Sequence, residues 1–421
     1  MGIQSAMYSG VSGLNTNSQA MSVIGNNLAN TNTLGFKGSR TIFSDVLSSN
    51  VNGSGGMSQV GRGVGLSIID PIFNQGTFET TSSGTDVAIE GSGFFVLKEP
   101  DDNTAYYTRA GSFRFDENGY LVNPEGLRVQ GKLFDLINNN NELLPYDPTD
   151  IRVANVGLVS ANPTSEMTFV TNLNANTPVI DTATYPAIDP TVRQSYSYAA
   201  STEVFDSLGQ SHLLTVYWRM TDQINNTWEA AYGVDNGTTV TSLPDMHFTN
   251  IGQSPTYPDP FTATTGTISW GNGAADSVIT IKLDCTQYAS SSSVIGTAQN
   301  GYTAGELTNV AINNDGVVVA SYSNGRQINV AQLILAKFQN PGGLQQAGAN
   351  RFLATNDVGI IRVGLPGPEL GRLFTNALEQ SNVDMGQEFV NMIATQRGFQ
   401  ANSKIITTVD DMLNELINLK R

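Results

Sequence analysis

The chain has 421 residues, enough for about three domains of ordinary size. Its 21 Lys and Arg stand against 37 Asp and Glu, and the net charge of −16 argues against nucleic acid or an anionic membrane surface as a partner. Charged residues are only 14% of the chain, so its surface is built largely from Ser, Thr, Asn and Gly, and the single cysteine, Cys285, excludes an internal disulfide or a thiolate metal cluster.

At the N-terminus, Ile3, Met7, Gly10, Leu14, Asn17, Met21, Ile24 and Leu28 step by four and three, the spacing of a coiled-coil seam, and predict a helix over 1–30. No basic segment followed by an apolar one is legible there, so no general secretory signal is expected. No apolar run reaches the length of about 18 residues needed to span a bilayer, so no membrane insertion is expected. The pattern fails at Ala29-Asn30-Thr31-Asn32-Thr33-Leu34-Gly35-Phe36-Lys37, and Ser48 to Gly65 is rich in Ser, Asn and Gly. Residues 31–70, with 365–377 near the other end, are therefore expected to form an extended linking arm that becomes ordered against neighbours.

From Leu66 the period changes to two, with strand-like runs such as Phe94-Phe95-Val96-Leu97 and the hairpin turn Asp116-Glu117-Asn118-Gly119. The same grammar returns at Val310-Ala311-Ile312, the turn Asn313-Asn314-Asp315-Gly316 and Val317 to Tyr322, which predicts one β domain from 71–145 and 305–364. Residues 146–304 have the texture of a second β domain inserted at a loop of the first. At the C-terminus, Met385, Phe389, Met392, Gln396, Phe399, Ser403, Ile406, Asp410, Leu413 and Ile417 repeat the seam spacing and predict a helix within 378–421. A single amphipathic helix is marginal in water. The two ends are therefore expected to pair as a coiled coil and to serve assembly. Its interface would be Ile3, Met7, Leu14, Met21, Ile24 and Leu28 with Met385, Phe389, Met392, Phe399, Ile406, Leu413 and Ile417. The fold class expected is mostly β with terminal α-helices, an arm and two nested β domains.

Catalytic chemistry needs convergent groups, and none is designated. His212 and His247 have no Cys or carboxylate at ligand spacing. Gly61-Arg62-Gly63-Val64-Gly65 lacks the Lys-Ser/Thr of a phosphate loop, and Asp116 to Gly119 lacks the closing Glu of a calcium loop. Cys285 reads as a small buried hydrophobe. No catalytic residue, metal or cofactor is expected.

The ends carry a resemblance. Gly13-Leu14-Asn15-Thr16, Ile24-Gly25-Asn26-Asn27-Leu28-Ala29-Asn30-Thr31 and Leu34-Gly35-Phe36-Lys37 resemble the N-terminal signature of bacterial flagellar rod and hook proteins. Leu378-Glu379-Gln380-Ser381-Asn382-Val383-Asp384, Glu388 to Ile393 and Thr395-Gln396-Arg397-Gly398-Phe399-Gln400-Ala401-Asn402-Ser403-Lys404 resemble the C-terminal one. Tyr107-Thr108-Arg109-Ala110-Gly111 agrees with both branches, while Gly398-Phe399-Gln400 and the large insertion resemble the hook branch. The resemblance marks Asn30, Thr31, Gly35, Phe36, Lys37, Gln396, Arg397, Gln400 and Asn402 as motif residues. It implies a non-enzymatic subunit in the hook of the bacterial flagellum, exported through the flagellar type III export apparatus to lie outside the cell. There it would polymerise into a curved tube, a universal joint passing torque from rod to filament. Expected partners are further copies in a helical homopolymer, the distal rod protein, the hook cap protein, hook-filament junction proteins and the hook-length control protein. Two alternatives stay open: a distal rod subunit, and a secreted β-rich carbohydrate-binding or hydrolytic protein using Trp218, Trp228 and Trp270.

Overall fold

The computed structural model describes the chain except for residues 1, 54, 55, 101, 103, 136–141, 154–157, 236, 238, 255, 257 and 419–421. Helix α1 spans Gly2–Ala29 and helix α2 spans Met385–Asn418. No charged residue occurs in α1, whose last turn is closed by Asn30: its amide nitrogen donates to the Asn26 carbonyl at 2.9 Å. The Asp384 carboxylate accepts the Gln387 N–H at 3.0 Å and caps the start of α2. The helix expected within 378–421 therefore begins later than its motif, because Ala377–Glu379 is a strand.

Chain contacts divide the protein into two compact units. One comprises Met1–Val156, Asn309–Ala320 and Gln327–Arg421, the other Gly157–Thr308 and Ser321–Arg326. The sequence had suggested 146–304 for the inserted part.

In the first unit, the residues expected to form an extended linking arm pair as a ribbon. Ser39–Asp45 runs antiparallel to Val64–Pro71, from Ser39 opposite Pro71 to Asp45 opposite Val64, and Ser49–Gly53 pairs with Gly56–Val60. The returning stretch is also paired: Arg372–Thr375 lies against Val87–Glu90, and Ala377–Glu379 against Phe78–Thr80. The main sheet of this unit places Gln327–Leu333, Arg128–Leu133, Phe94–Lys98, Ala105–Thr108, Arg351–Ala354 and Leu344–Gln346 side by side. Its core is aromatic, with Phe338 edge-on to Phe94 at 5.4 Å and to Tyr107 at 4.8 Å. The expected turn at Asp116 to Gly119 is present: Gly119 has φ +79°, and the Asp116 carboxylate accepts the N–H groups of Asn118 and Tyr120.

The second unit is a sandwich. A four-stranded sheet orders Phe261–Thr264, Thr280–Tyr288, Glu166–Asn174 and Ser293–Gln299. A five-stranded sheet is built on Tyr198–Phe205, Ser211–Asp222 and Thr227–Val234. Phe169, Leu214, Trp218, Trp228, Ile281 and Leu283 fill the space between the sheets. Cys285 lies in this core opposite Thr171, its sulfur 2.9 Å from the Thr171 hydroxyl, and burial pushes its thiol up to about 12. At pH 8 only about one thiol in ten thousand is then ionised. We expect a charged disulfide reagent at that pH to leave the folded protein unlabelled and to titrate one thiol per chain in denaturant. Labelling at equal rates in both states would disprove this burial.

Candidate assembly interface

The helices pack antiparallel, and the closest approach is made by small residues. A Cβ on Gly13 would lie 2.6 Å from the Asn402 amide nitrogen, one on Gly10 would lie 3.1 Å from Ile406, and one on Gly398 would lie 3.0 Å from Asn17. The sums of these paired numbers stay near one value, which fixes the antiparallel register. Buried positions on α1 are Gly10, Gly13, Thr16, Ala20, Ile24 and Asn27, with Ser12 and Asn27 also meeting the ribbon.

This corrects the expected seam. Of its α1 members only Ile24 is buried; Met7, Leu14, Met21 and Leu28 are half-buried on its flank, and the side chain of Ile3 lies outside the described residues. On α2, Met392 and Ile406 are half-buried, whereas Met385, Phe389, Phe399, Leu413 and Ile417 are exposed, Phe389 at 47% and Ile417 at 68%. Close helix approach requires small side chains, so the large ones are displaced from the contact. Among the motif residues, Gln396, Arg397 and Gln400 are exposed on α2, and Asn402 packs on Gly13.

The remaining motif residues meet at the base of the helix pair. Thr31 donates to the Leu28 carbonyl, Phe36 is buried, and Gly35, at φ +64°, donates its N–H to the Glu379 carbonyl at 2.8 Å. A Cβ on Gly35 would sit 2.6 Å from the Ala110 nitrogen, so both its conformation and its space demand glycine. The Lys37 ammonium donates to Glu379 Oε1 and to the Asn74 carbonyl, each at 2.7 Å, and Arg109 reaches Glu379 Oε2 at 3.5 Å. All three side chains are sealed from solvent. Burial depresses both the Lys37 and the Arg109 cations below their ordinary values, and Glu379 opposes this in each. Asn382 completes the joint: its carbonyl accepts the Gly38 N–H at 2.8 Å and its amide donates to the Ile72 carbonyl at 2.7 Å. Sequence reasoning placed Lys37 and Glu379 in motifs but did not pair them.

His212 was also read without its neighbours. Its Nδ1 is 2.7 Å from Asp235 and its Nε2 is 3.4 Å from Asp206, with Trp270 stacked on the ring at 4.2 Å. Burial works against the Asp206 carboxylate, yet hydrogen bonds from Asn272, Gln210, His212 and Leu208 together hold it below its usual value. These groups tie down the turn from Asp206 to Gln210, whose backbone they bond. Trp218 and Trp228 are fully buried and Trp270 covers His212, so the three tryptophans form no sugar platform.

Removing one member of a buried ion group costs about 3–5 kcal/mol because the others lose their counter-charge. Glu379→Gln would leave two buried cations unopposed, whereas Lys37→Met keeps the Arg109–Glu379 pair. Thermal unfolding of the soluble subunit is therefore expected to show the larger loss for Glu379→Gln. Equal losses for the two variants would remove Glu379 from its central place.

Comparison with known proteins agrees with this geometry. Residues 7–37 match the profile described as flagella basal body rod protein, 88–161 the flagellar hook protein FlgE/F/G D1 domain, 172–302 the flagellar basal body protein FlaE D2 domain, and 375–419 the flagellar basal body rod FlgEFG protein C-terminal. The chain is 35% identical to the flagellar hook protein FlgE of Borreliella burgdorferi, covering 99% of each chain. It is also 35% identical to that of Salmonella typhimurium, covering 97% of this chain and 98% of the relative. The crystal structure of the Helicobacter pylori flagellar hook protein FlgE2 superposes with a TM-score of 0.52 at 15% identity, over 72% of this chain and 99% of that one, a likeness of fold. These matches lend no support to the distal-rod or carbohydrate alternatives. Similar along nearly its whole length to curated hook proteins, the chain belongs to the flagellar hook protein family.

Proposed function

We propose that this chain is the structural subunit of the flagellar hook, polymerising into a curved tube that carries torque from rod to filament. The observation that carries the reading is the wealth of large apolar side chains that the helix pair leaves exposed. Phe389, Val390, Ile393, Phe399, Ile405, Met412, Leu413 and Ile417 lie on several faces of α2, and so many exposed large apolar side chains on one helix mark a surface built to be covered. The flanking stripes on α1 and α2 are rotated from the contact in the same sense. At 100° per residue on antiparallel helices, this puts Leu14, Met21, Phe399 and Ile406 on one side of the pair, a surface for neighbouring copies.

The finer statements of the reading extend from the family. They are export through the flagellar type III export apparatus and contact with the distal rod protein, hook cap protein, junction proteins and length-control protein. No helix of the described residues is long and apolar enough to cross a membrane. The terminal helices would form the inner layer, the ribbon would link copies, and no catalytic step is assigned to any residue. Electron microscopy of the purified protein after salting-out tests the polymer directly. Curved tubes are expected; straight tubes would favour a rod, and their absence would refute assembly by this chain alone.

A second expectation separates folding from assembly. Phe399 is 40% exposed in the subunit, so Phe399→Asp is expected to lower the subunit's melting temperature less than Gly13→Val does. In a tube, losing a Phe side chain from an interface costs roughly 1.5–3 kcal/mol, and each 1.4 kcal/mol lowers the elongation constant about tenfold. Gly13→Val, by contrast, is driven into Asn402 and disrupts the helix pair itself. Sedimentation and circular dichroism distinguish the two; tubes from Phe399→Asp at unaltered yield would refute the role given to the exposed stripe.

A further inference from the structure

The β core of the first unit carries an open groove of about 560 Å³ that neither the helices nor the buried ion group uses. Its floor is apolar, made by Val96, Tyr107 and Ile334, and its walls include the exposed Tyr146 and Val363. Lys98 and Lys132 stand at its lining with a single acid, Asp147. Among the described residues the lysines with ion pairs are Lys37 and Lys282, so Lys98 and Lys132 meet the groove without one. In a chain of net charge −16, two unneutralised lysines beside an apolar cleft form a rare basic spot on an acidic molecule.

Complementary chemistry lies on the ribbon. Val46 makes the last hydrogen bond of Ser39–Asp45 to its partner segment, its N–H donating to the Gly63 carbonyl at 3.0 Å. Leu47 follows at 88% exposure, with Val46 at 43% and the exposed carboxylate of Asp45 two residues before it. An almost bare leucine beside an acid is costly to leave in water and matches a cleft with an apolar floor and a cationic edge.

We propose that the groove receives the Asp45-Val46-Leu47 knuckle of a second copy of this chain, Leu47 entering between Tyr146 and Val363 while Asp45 meets Lys98 and Lys132. The inference rests on the polymer reading above and names the receptor for the ribbon. It makes the link between copies a knob-in-groove contact steered by charge, separate from the helical layer.

Cysteine cross-linking tests it, since the native thiol of Cys285 is buried and silent. Tubes of the double variant Leu47→Cys, Tyr146→Cys, once oxidised, are expected to give a ladder of covalent oligomers on a denaturing gel. The control pair Leu47→Cys, Asp315→Cys, whose second site lies outside the groove, is expected to give none. Adding Lys98→Glu and Lys132→Glu should reduce the ladder about tenfold, and Asp45→Lys should restore it. Tubes that give no ladder from the groove pair, or equal ladders from both pairs, would overturn the proposal and leave the polymer reading intact. Failure of the unaltered chain to form tubes would instead overturn the polymer reading and take this proposal with it.

Discussion

One buried carboxylate organises the protein. Glu379 sits on the strand that leads into α2, accepts Lys37 from the segment leaving α1, and faces Arg109 from the β core. The three elements come from distant parts of the chain, and neither cation can stay buried without the Glu379 carboxylate. A buried ion pair adds little net stability over well-packed apolar groups, so its value here is geometric: it ties three distant segments to one carboxylate. The backbone follows suit, since Gly35 bonds the Glu379 carbonyl and Gly76 donates its N–H to the Glu379 carboxylate at 2.9 Å. Asn382 and Asn27 extend the lock by bonding backbone groups of the ribbon as if they were strand neighbours. The direction in which the helix pair leaves the β core is thereby set by hydrogen bonds and charge.

Above that joint the helices follow a different logic. Gly10, Gly13 and Gly398 let them approach closely, with Asn402 and Asn17 filling the gaps. Such a contact buries little apolar surface, and the side chains that would stabilise an isolated pair point elsewhere. The pair is thus weakly held by its own contact and strongly provided for by copies that would cover Phe389, Phe399 and Leu413. Assembly and helix stability become the same event, which suits a subunit that polymerises.

How much of this was legible depends on distance along the chain. The helices were readable because their apolar period is local, and the Asp116 to Gly119 turn because Asn-Gly has a fixed conformational meaning. The face used for helix contact was not, since Gly10 reads as a break in the apolar pattern and Gly13 and Gly398 fall outside the expected seam, although all three make the contact. The ribbon was expected only as an extended linking arm because Asn and Gly dominate it, although Ile42-Phe43 and Leu66 to Ile69 supply the β-forming residues that pair. Lys37 with Glu379, and His212 with Asp235, join residues that no spacing rule connects. Motif resemblance marked the first pair as important without saying that the two touch; nothing in the sequence marked the second.

A tube made of this chain has rigid and yielding contacts in different places. The joint at Glu379 is dry, so any change of angle there would expose charge or break the Lys37 and Gly76 hydrogen bonds to its carboxylate. Bending therefore cannot be absorbed at that joint. Contacts that copies would make through their Ser, Thr and Asn surfaces are of another kind, because water can replace a hydroxyl or amide partner at small cost. With few charges on these surfaces, sliding one past another brings few like-charge encounters, and no single strong ion pair has to be broken at each step. Torque would then be carried through the buried joint and the helical layer, while curvature is taken up by polar faces that exchange partners through water.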